Sequence, residues 1–250
     1  MDRARRDALR ALGAAAATLF MKPAPAKSPA LLERAVPSTG ERLPAIGLGT
    51  WQVFDVGNHA PGRAPLREVL AAFAWAGAKV VDSSSMYGTS ESVLGDLAAE
   101  LGLQQQLFFA TKVWTSGRDE GIRLMELSFS RLRVQRMDLM QVHNLLDVGT
   151  HTRTLAEWKQ RGRVRYIGIT HYASSAYAEV ERLLKANRYD FLQINYSLGE
   201  PESAQRLLPL AQARGVAVIA NRPFAEGAMF RRVRGKSLPD WAKDIGIASW

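Results

Sequence analysis

The chain has 250 residues, 47% of them hydrophobic, and a formal charge of +9. That length allows one large core in one or two domains. Cysteine is absent, which excludes disulfides, thiolate nucleophiles and cysteine-ligated metals. The four histidines, at 59, 143, 151 and 171, lack HExxH-type spacing, so no metal site is expected. Basic residues run along the whole length without a stripe of interleaved aromatics, so no nucleic-acid partner is expected.

Residues 1–26, MDRARRDALRALGAAAATLFMKPAPA, stand apart from the rest. A basic start precedes an apolar stretch from Ala11 to Met21 and then Ala24-Pro25-Ala26, the pattern of a cleavable export signal. The stretch is too short to span a bilayer, so no membrane insertion of the mature chain is expected. Arg5-Arg6 followed by Leu9-Arg10 resembles a twin-arginine motif, with Ala8 where a bulky apolar residue is commoner. This makes the twin-arginine machinery an expected partner and the periplasm the expected location, with the cytoplasm as the alternative. Cleavage would remove five basic and two acidic residues and leave a charge of +6.

Residues 27–250 read as one domain, with no Pro/Gly/Ser-rich linker after residue 40. RAVPSTGERLP predicts a short hairpin turning at Thr39-Gly40-Glu41. Seven β-prone runs follow: Ala45–Thr50, Lys79–Asp82, Leu107–Lys112, Met137–His143, Val164–Thr170, Phe191–Asn195 and Gly215–Asn221. Several are apolar at consecutive positions, as in a parallel sheet covered on both faces. Helical stripes lie between them. Leu66, Val69, Leu70, Phe73 and Ala74 form one, with Pro65 at its start and Gly77 at its end. Val93, Leu94, Leu97 and Leu101 form a second, and Ile122, Met125, Phe129 and Leu132 a third. Ala204, Leu207, Leu208 and Ala211 form a later one. All four stripes are expected to face the core.

Repeated strand–helix units predict a parallel α/β domain, either an open doubly wound sheet or a (β/α)8 barrel. The first run gives Gly47-Leu48-Gly49-Thr50-Trp51 without a third glycine or a following helix, which favours the barrel. The hairpin would plug its bottom.

Asp82 ends the second run, Lys112 the third and His143 the fourth, at intervals of 30 and 31 residues. Each interval is one strand–helix unit, so the three should meet where the strands' C-terminal ends share a face. Tyr87 hangs from the loop after Asp82. Taken singly, each has a bland role as turn cap, solvated cation, core histidine or wall residue. Together they suit proton transfer. A free phenol near pKa ~10 is a poor acid at neutral pH, and a neighbouring ammonium should lower that value. An aspartate would keep the lysine charged, and a histidine could donate to a carbonyl oxygen. No side chain donates hydride, so the chemistry implies a nicotinamide or flavin cofactor.

With DSSSMYG, ATKVW and MDLMQVHN in that order and spacing, the sequence resembles the aldo/keto reductase family from about Arg42 onward. The resemblance implies a (β/α)8 barrel that reduces aldehydes or ketones with tyrosine as acid. It implies NADPH as cofactor, with NADH not excluded, a small-molecule carbonyl substrate and a monomer. By position it places Thr170, His171 and Gln193 at the nicotinamide amide. Gly49, Thr50 and Trp51 would line the nicotinamide end and substrate mouth, and Trp114 would wall the pocket. Twin-arginine export carries folded proteins, which suits one that collects its cofactor before leaving.

Two departures from the family pattern stand out. Asn221-Arg222-Pro223-Phe224 follows the seventh run where the family often has an aromatic on the nicotinamide, leaving Arg222 to stack or to bind pyrophosphate. The chain also stops seven strands in, before the eighth strand and helix that grip the adenosine phosphate. This is the pattern of a barrel truncated after its seventh strand, as from a gene fragment or frameshift. Arg231, Arg232, Arg234 and Lys236 offer alternative phosphate contacts or a solvated loop. Two other readings stay open: a non-catalytic barrel remnant, and a lyase in which Lys112 forms a Schiff base.

Overall fold

The computed structural model describes residues 31–249. The leader assigned to residues 1–26 lies outside them. The described chain opens with an antiparallel hairpin, β1 (Glu33–Ala35) and β2 (Arg42–Pro44), in which Arg34 faces Leu43. Seven strands then form one parallel sheet in sequence order. They are β3 (Leu48–Gly49), β4 (Val80–Asp82), β5 (Phe108–Val113), β6 (Met137–His143), β7 (Val164–His171), β8 (Phe191–Asn195) and β9 (Ala217–Asn221). The helices between them are α1 (Ala60–Trp75), α2 (Ser90–Glu100), α3 (Arg118–Leu132), α4 (Val148–Gln160), α5 (Tyr177–Ala186) and α6 (Ser203–Ala213). A short α7 (Ala228–Val233) follows β9. The sheet curls as seven strands of a (β/α)8 barrel, and β3 and β9 are its edges among the described residues.

Side chains on a strand alternate between faces, so each barrel strand serves two cores. Outward residues such as Val81, Phe109, Val113, Met140, Val142, Ile169 and Leu192 meet the helices in one large cluster. Inward residues Phe108, Ala110, Leu139, Tyr166 and Phe191 form a second cluster, closed below by Val36 and Leu43 of the hairpin. The expected plug is therefore real. Polar ties fasten it: Thr39 Oγ1 lies 2.7 Å from the Tyr166 hydroxyl, and Glu41 accepts from both Arg165 and Tyr166.

The strand boundaries agree with the sequence runs to within a few residues, and β6 and β8 match theirs. Three expectations are corrected. Helix α1 starts at Ala60 with Pro61 in its first turn, so Pro65 lies inside it rather than at its start. Pro61 is tolerated where it stands because first-turn N–H groups have no intrahelical acceptor. Val69 is 47% exposed, although its spacing matches the stripe. Ala204 is exposed too, while α6 buries Leu207 and Ala211 as expected and Ser203 besides.

Candidate active site

Strand register brings the candidate residues together. Asp82 pairs with Ala110, so Lys112, two residues on, projects from the same inward face one step higher. Lys112 pairs with Gln141, and His143, again two residues on, pairs with Thr170. Thr170 pairs with Gln193, and Asn195 with Asn221. The polar rim of the barrel is therefore a layer seated directly above the apolar inner cluster.

Lys112 is 2% exposed. Its Nζ donates to Asp82 Oδ2 at 2.7 Å and to the Ser83 carbonyl oxygen at 2.6 Å. Nζ also stands 5.2 Å from the centre of the Tyr87 ring. A buried ammonium is tolerated only when paired and hydrogen-bonded, and both conditions are met. Asp82 Oδ2 accepts a second bond from Gln193 Nε2 at 3.0 Å, while Oδ1 is buried without a partner. Gln193 Nε2 also donates to Asn221 Oδ1 at 2.8 Å, and its Oε1 accepts from Gln141 Nε2 at 2.7 Å.

The Tyr87 loop is stitched to its neighbours by three consecutive serines. Ser83 Oγ accepts from Thr50 Oγ1 at 2.9 Å, Ser84 Oγ lies 2.9 Å from His143 Nδ1, and Ser85 Oγ donates to the Lys112 carbonyl oxygen at 3.1 Å. Beyond the tyrosine, Asp55 Oδ1 accepts from the Thr89 N–H at 2.8 Å and from its hydroxyl at 2.7 Å. Those bonds hold the Asp55 carboxyl below the usual range. Gly88 makes room for this carboxylate: its φ is +57°, and a Cβ there would fall 2.2 Å from Asp55 Oδ2.

Burial pushes the Tyr87 phenol above its ordinary value. Lys112 opposes that rise and Asp82 adds to it. The expected downward shift from the ammonium is therefore outweighed, because removing the phenolate from water costs more than the half-neutralised cation returns. His143 is pushed down to about 3, chiefly by burial, with Lys112 and His171 contributing. Its ring is neutral. A Ser84 hydroxyl that donates to Nδ1 would leave the proton on Nε2. The Tyr87 and His143 rings meet edge to face at 5.8 Å.

The remaining candidates lie around this centre. Thr50 is fully buried and turned inward to Ser83, and Gly49 precedes it at the end of β3. Trp51 and Trp114 are 45% and 41% exposed, and Trp114 stands 6.4 Å from the His143 ring. Thr170 is buried at the end of β7. The adjacent His171 stacks on Tyr172 at 5.5 Å, and its Nδ1 accepts from the Ala173 N–H. Burial lowers the His171 pKa as well. Arg222 lies over the same Tyr172 ring, 5.5 Å from its centre, and pairs with Glu226 at 3.3 Å. Arg231 donates to the Glu226 carbonyl oxygen. Sequence reasoning missed the three serines, Gln141, Asp55 and Tyr172. The serine run immediately after the strand-ending aspartate was the available signal.

A histidine with a depressed pKa favours folding most above its unfolded value near 6.5, and that contribution is lost as pH falls toward 3. The His143 ring nitrogens should accordingly show no titration between about pH 8 and 5 in nitrogen-detected NMR. A midpoint near 6.5 would contradict this environment.

The aldo/keto reductase family model matches residues 45–243. Methylglyoxal reductase YeaE of Escherichia coli (strain K12) is 29% identical over 195 residues, covering 76% of this chain and 67% of the relative. An aldo-keto reductase of Mycobacterium sp. (strain JLS) is 32% identical over 199 residues with the same coverages. Among solved structures, an aldo-keto reductase from Klebsiella pneumoniae in complex with NADPH superimposes with TM-score 0.67 at 25% identity. That alignment covers 81% of this chain and 72% of that one. An aldo/keto reductase from the same organism, in complex with NADP and acetate, gives TM-score 0.69 at 24% identity, covering 83% and 74%. The chain belongs to the aldo/keto reductase family.

Proposed function

We propose that this chain reduces an aldehyde or ketone with NADPH, using Tyr87 as the proton donor. One observation carries the assignment: the Lys112 ammonium, held by Asp82 and Ser83, sits beside the Tyr87 ring at the mouth of the barrel. Two relatives of known structure are described in complex with NADP or NADPH. The residues present suit a nicotinamide carboxamide. Gln193 and Asn221 offer amide groups, and Asn195 Oδ1 at the end of β8 is a buried acceptor without a partner.

NADPH supplies the hydride that the carbonyl carbon receives. The side chains handle the oxygen. His143 Nε2–H and the Tyr87 hydroxyl are the two donors available to it, so the carbonyl is polarised before its oxygen becomes negative. An alkoxide is a far stronger base than a phenolate, so the proton passes from Tyr87 even though burial makes the resting phenol a weaker acid. Lys112 then stabilises the phenolate left behind, and Asp82 keeps Lys112 aimed. The same bonds disfavour a Schiff-base role for Lys112, because an ammonium held by two acceptors presents no lone pair.

Methylglyoxal is the first substrate to test, since the E. coli relative carries that name. Tyr87→Phe should lower kcat about 10^2- to 10^4-fold, while NADPH fluorescence titration reports unchanged binding. Turnover within tenfold of the parent would refute the donor assignment.

We also propose that residues 1–26 direct twin-arginine export to the periplasm, on the strength of Arg5-Arg6, the apolar stretch and Ala24-Pro25-Ala26. Arg5→Lys together with Arg6→Lys should retain a reporter fusion in the cytoplasmic fraction. Equal periplasmic recovery of both fusions would rule out that route.

A further inference from the structure

Trp114 is carried by the loop after β5, and that loop is fastened from the neighbouring unit. His151, on α4, is fully buried, with Nε2 2.7 Å from the Thr115 carbonyl oxygen. A carbonyl oxygen only accepts, so this nitrogen carries the proton. The other ring nitrogen is buried without a partner, so the ring's hydrogen bonding goes to Thr115. Gly121 of α3 faces the ring so closely that a Cβ would fall 2.4 Å from Cε1. The imidazole therefore sits in a slot that admits it only because residue 121 has no side chain.

A second peg lies one turn earlier. Asp147 Oδ2 accepts the Gly117 N–H at 2.8 Å, which fixes the far end of the same loop. The segment carrying Asp147 starts directly after His143 and is unusually shaped. Asn144, Leu145 and Asp147 all adopt left-handed backbone, with φ of 50°, 57° and 46°. Non-glycine residues hold such conformations only where surrounding contacts impose them, and clusters of them mark functional loops more often than neutral ones. One short segment thus leaves the substrate-side histidine and grips the loop bearing the tryptophan that touches it, with ring centroids 6.4 Å apart.

We propose that His151 and Asp147 are positioning residues for Trp114. They lock its loop to the segment following His143, so that the indole keeps its place as the wall an aryl carbonyl substrate packs against. The consequence for substrate choice rests on the reductase reading; the positioning of the loop does not.

The test uses the full chain labelled with 5-fluorotryptophan, the Trp114 signal being identified by its loss in Trp114→Phe. His151→Leu, which fills the slot without an N–H donor, should shift or broaden the Trp114 fluorine resonance and leave the other tryptophans in place. His151→Gln, which restores an N–H donor, should return the signal toward the parent. In NADPH-dependent assays, His151→Leu should raise KM for 4-nitrobenzaldehyde roughly tenfold, with kcat and the methylglyoxal KM within about twofold. Asp147→Ala should act in the same direction and serves if His151→Leu fails to fold. An unchanged Trp114 resonance in the folded variants would overturn the proposal. So would an equal rise in KM for both aldehydes, or a shifted resonance with unchanged KM for the aryl aldehyde. If the parent chain reduces neither aldehyde, the reductase reading fails, and the fluorine spectra still decide the positioning claim.

Discussion

A lysine ammonium cannot be left in a barrel interior without a counter-charge, and the arrangement of this site follows from that constraint. Lys112 is answered by Asp82 from the preceding strand and by the Ser83 carbonyl beside it. Asp82 is in turn held by Gln193 from β8, which is bonded to Gln141 of β6 and Asn221 of β9. One polar layer therefore ties together five of the seven parallel strands, on top of an apolar layer closed by the hairpin. A slip of one residue in β5 would turn Lys112 toward the helices and leave Asp82 alone, so this layer also fixes the register.

The two sides of the mouth are built differently. From β3 to β6 the loop bearing Tyr87 is bonded at almost every residue, through Ser83, Ser84, Ser85 and Thr89. That side carries the proposed proton donor, for which a small displacement would cost much of its effect. From β7 to β9 the rim is instead a stack of flat groups, His171, Tyr172 and Arg222, with Glu226 outside it. Flat, partly exposed faces suit a broad planar ligand better than a proton relay.

Much of this was legible in the sequence because the barrel repeats. Strand-ending Asp82, Lys112 and His143 recur at one interval per strand–helix unit, and repetition alone predicts their convergence. The hairpin was legible from turn chemistry around Gly40. The helix faces were less so: Val69 and Ala204 match the helical period but are exposed, because neighbouring elements, not period, decide which part of a stripe is covered. Gln141 was hidden because a hydrogen bond between strands leaves no trace in local pattern. The sign of the Tyr87 shift was hidden for a related reason. Sequence spacing gives the charges near a phenol but not how much water the surrounding loop removes.

The central claim is that Lys112 acts electrostatically on Tyr87, within a site whose burial otherwise opposes phenolate. The most direct measurement is a titration of Cζ-labelled tyrosine by carbon NMR, in the parent chain and in Lys112→Met. The account predicts a Tyr87 pKa above the ordinary value of about 10 in the parent, and a higher one still once the ammonium is gone. A Tyr87 pKa that stays the same or falls in Lys112→Met would contradict it.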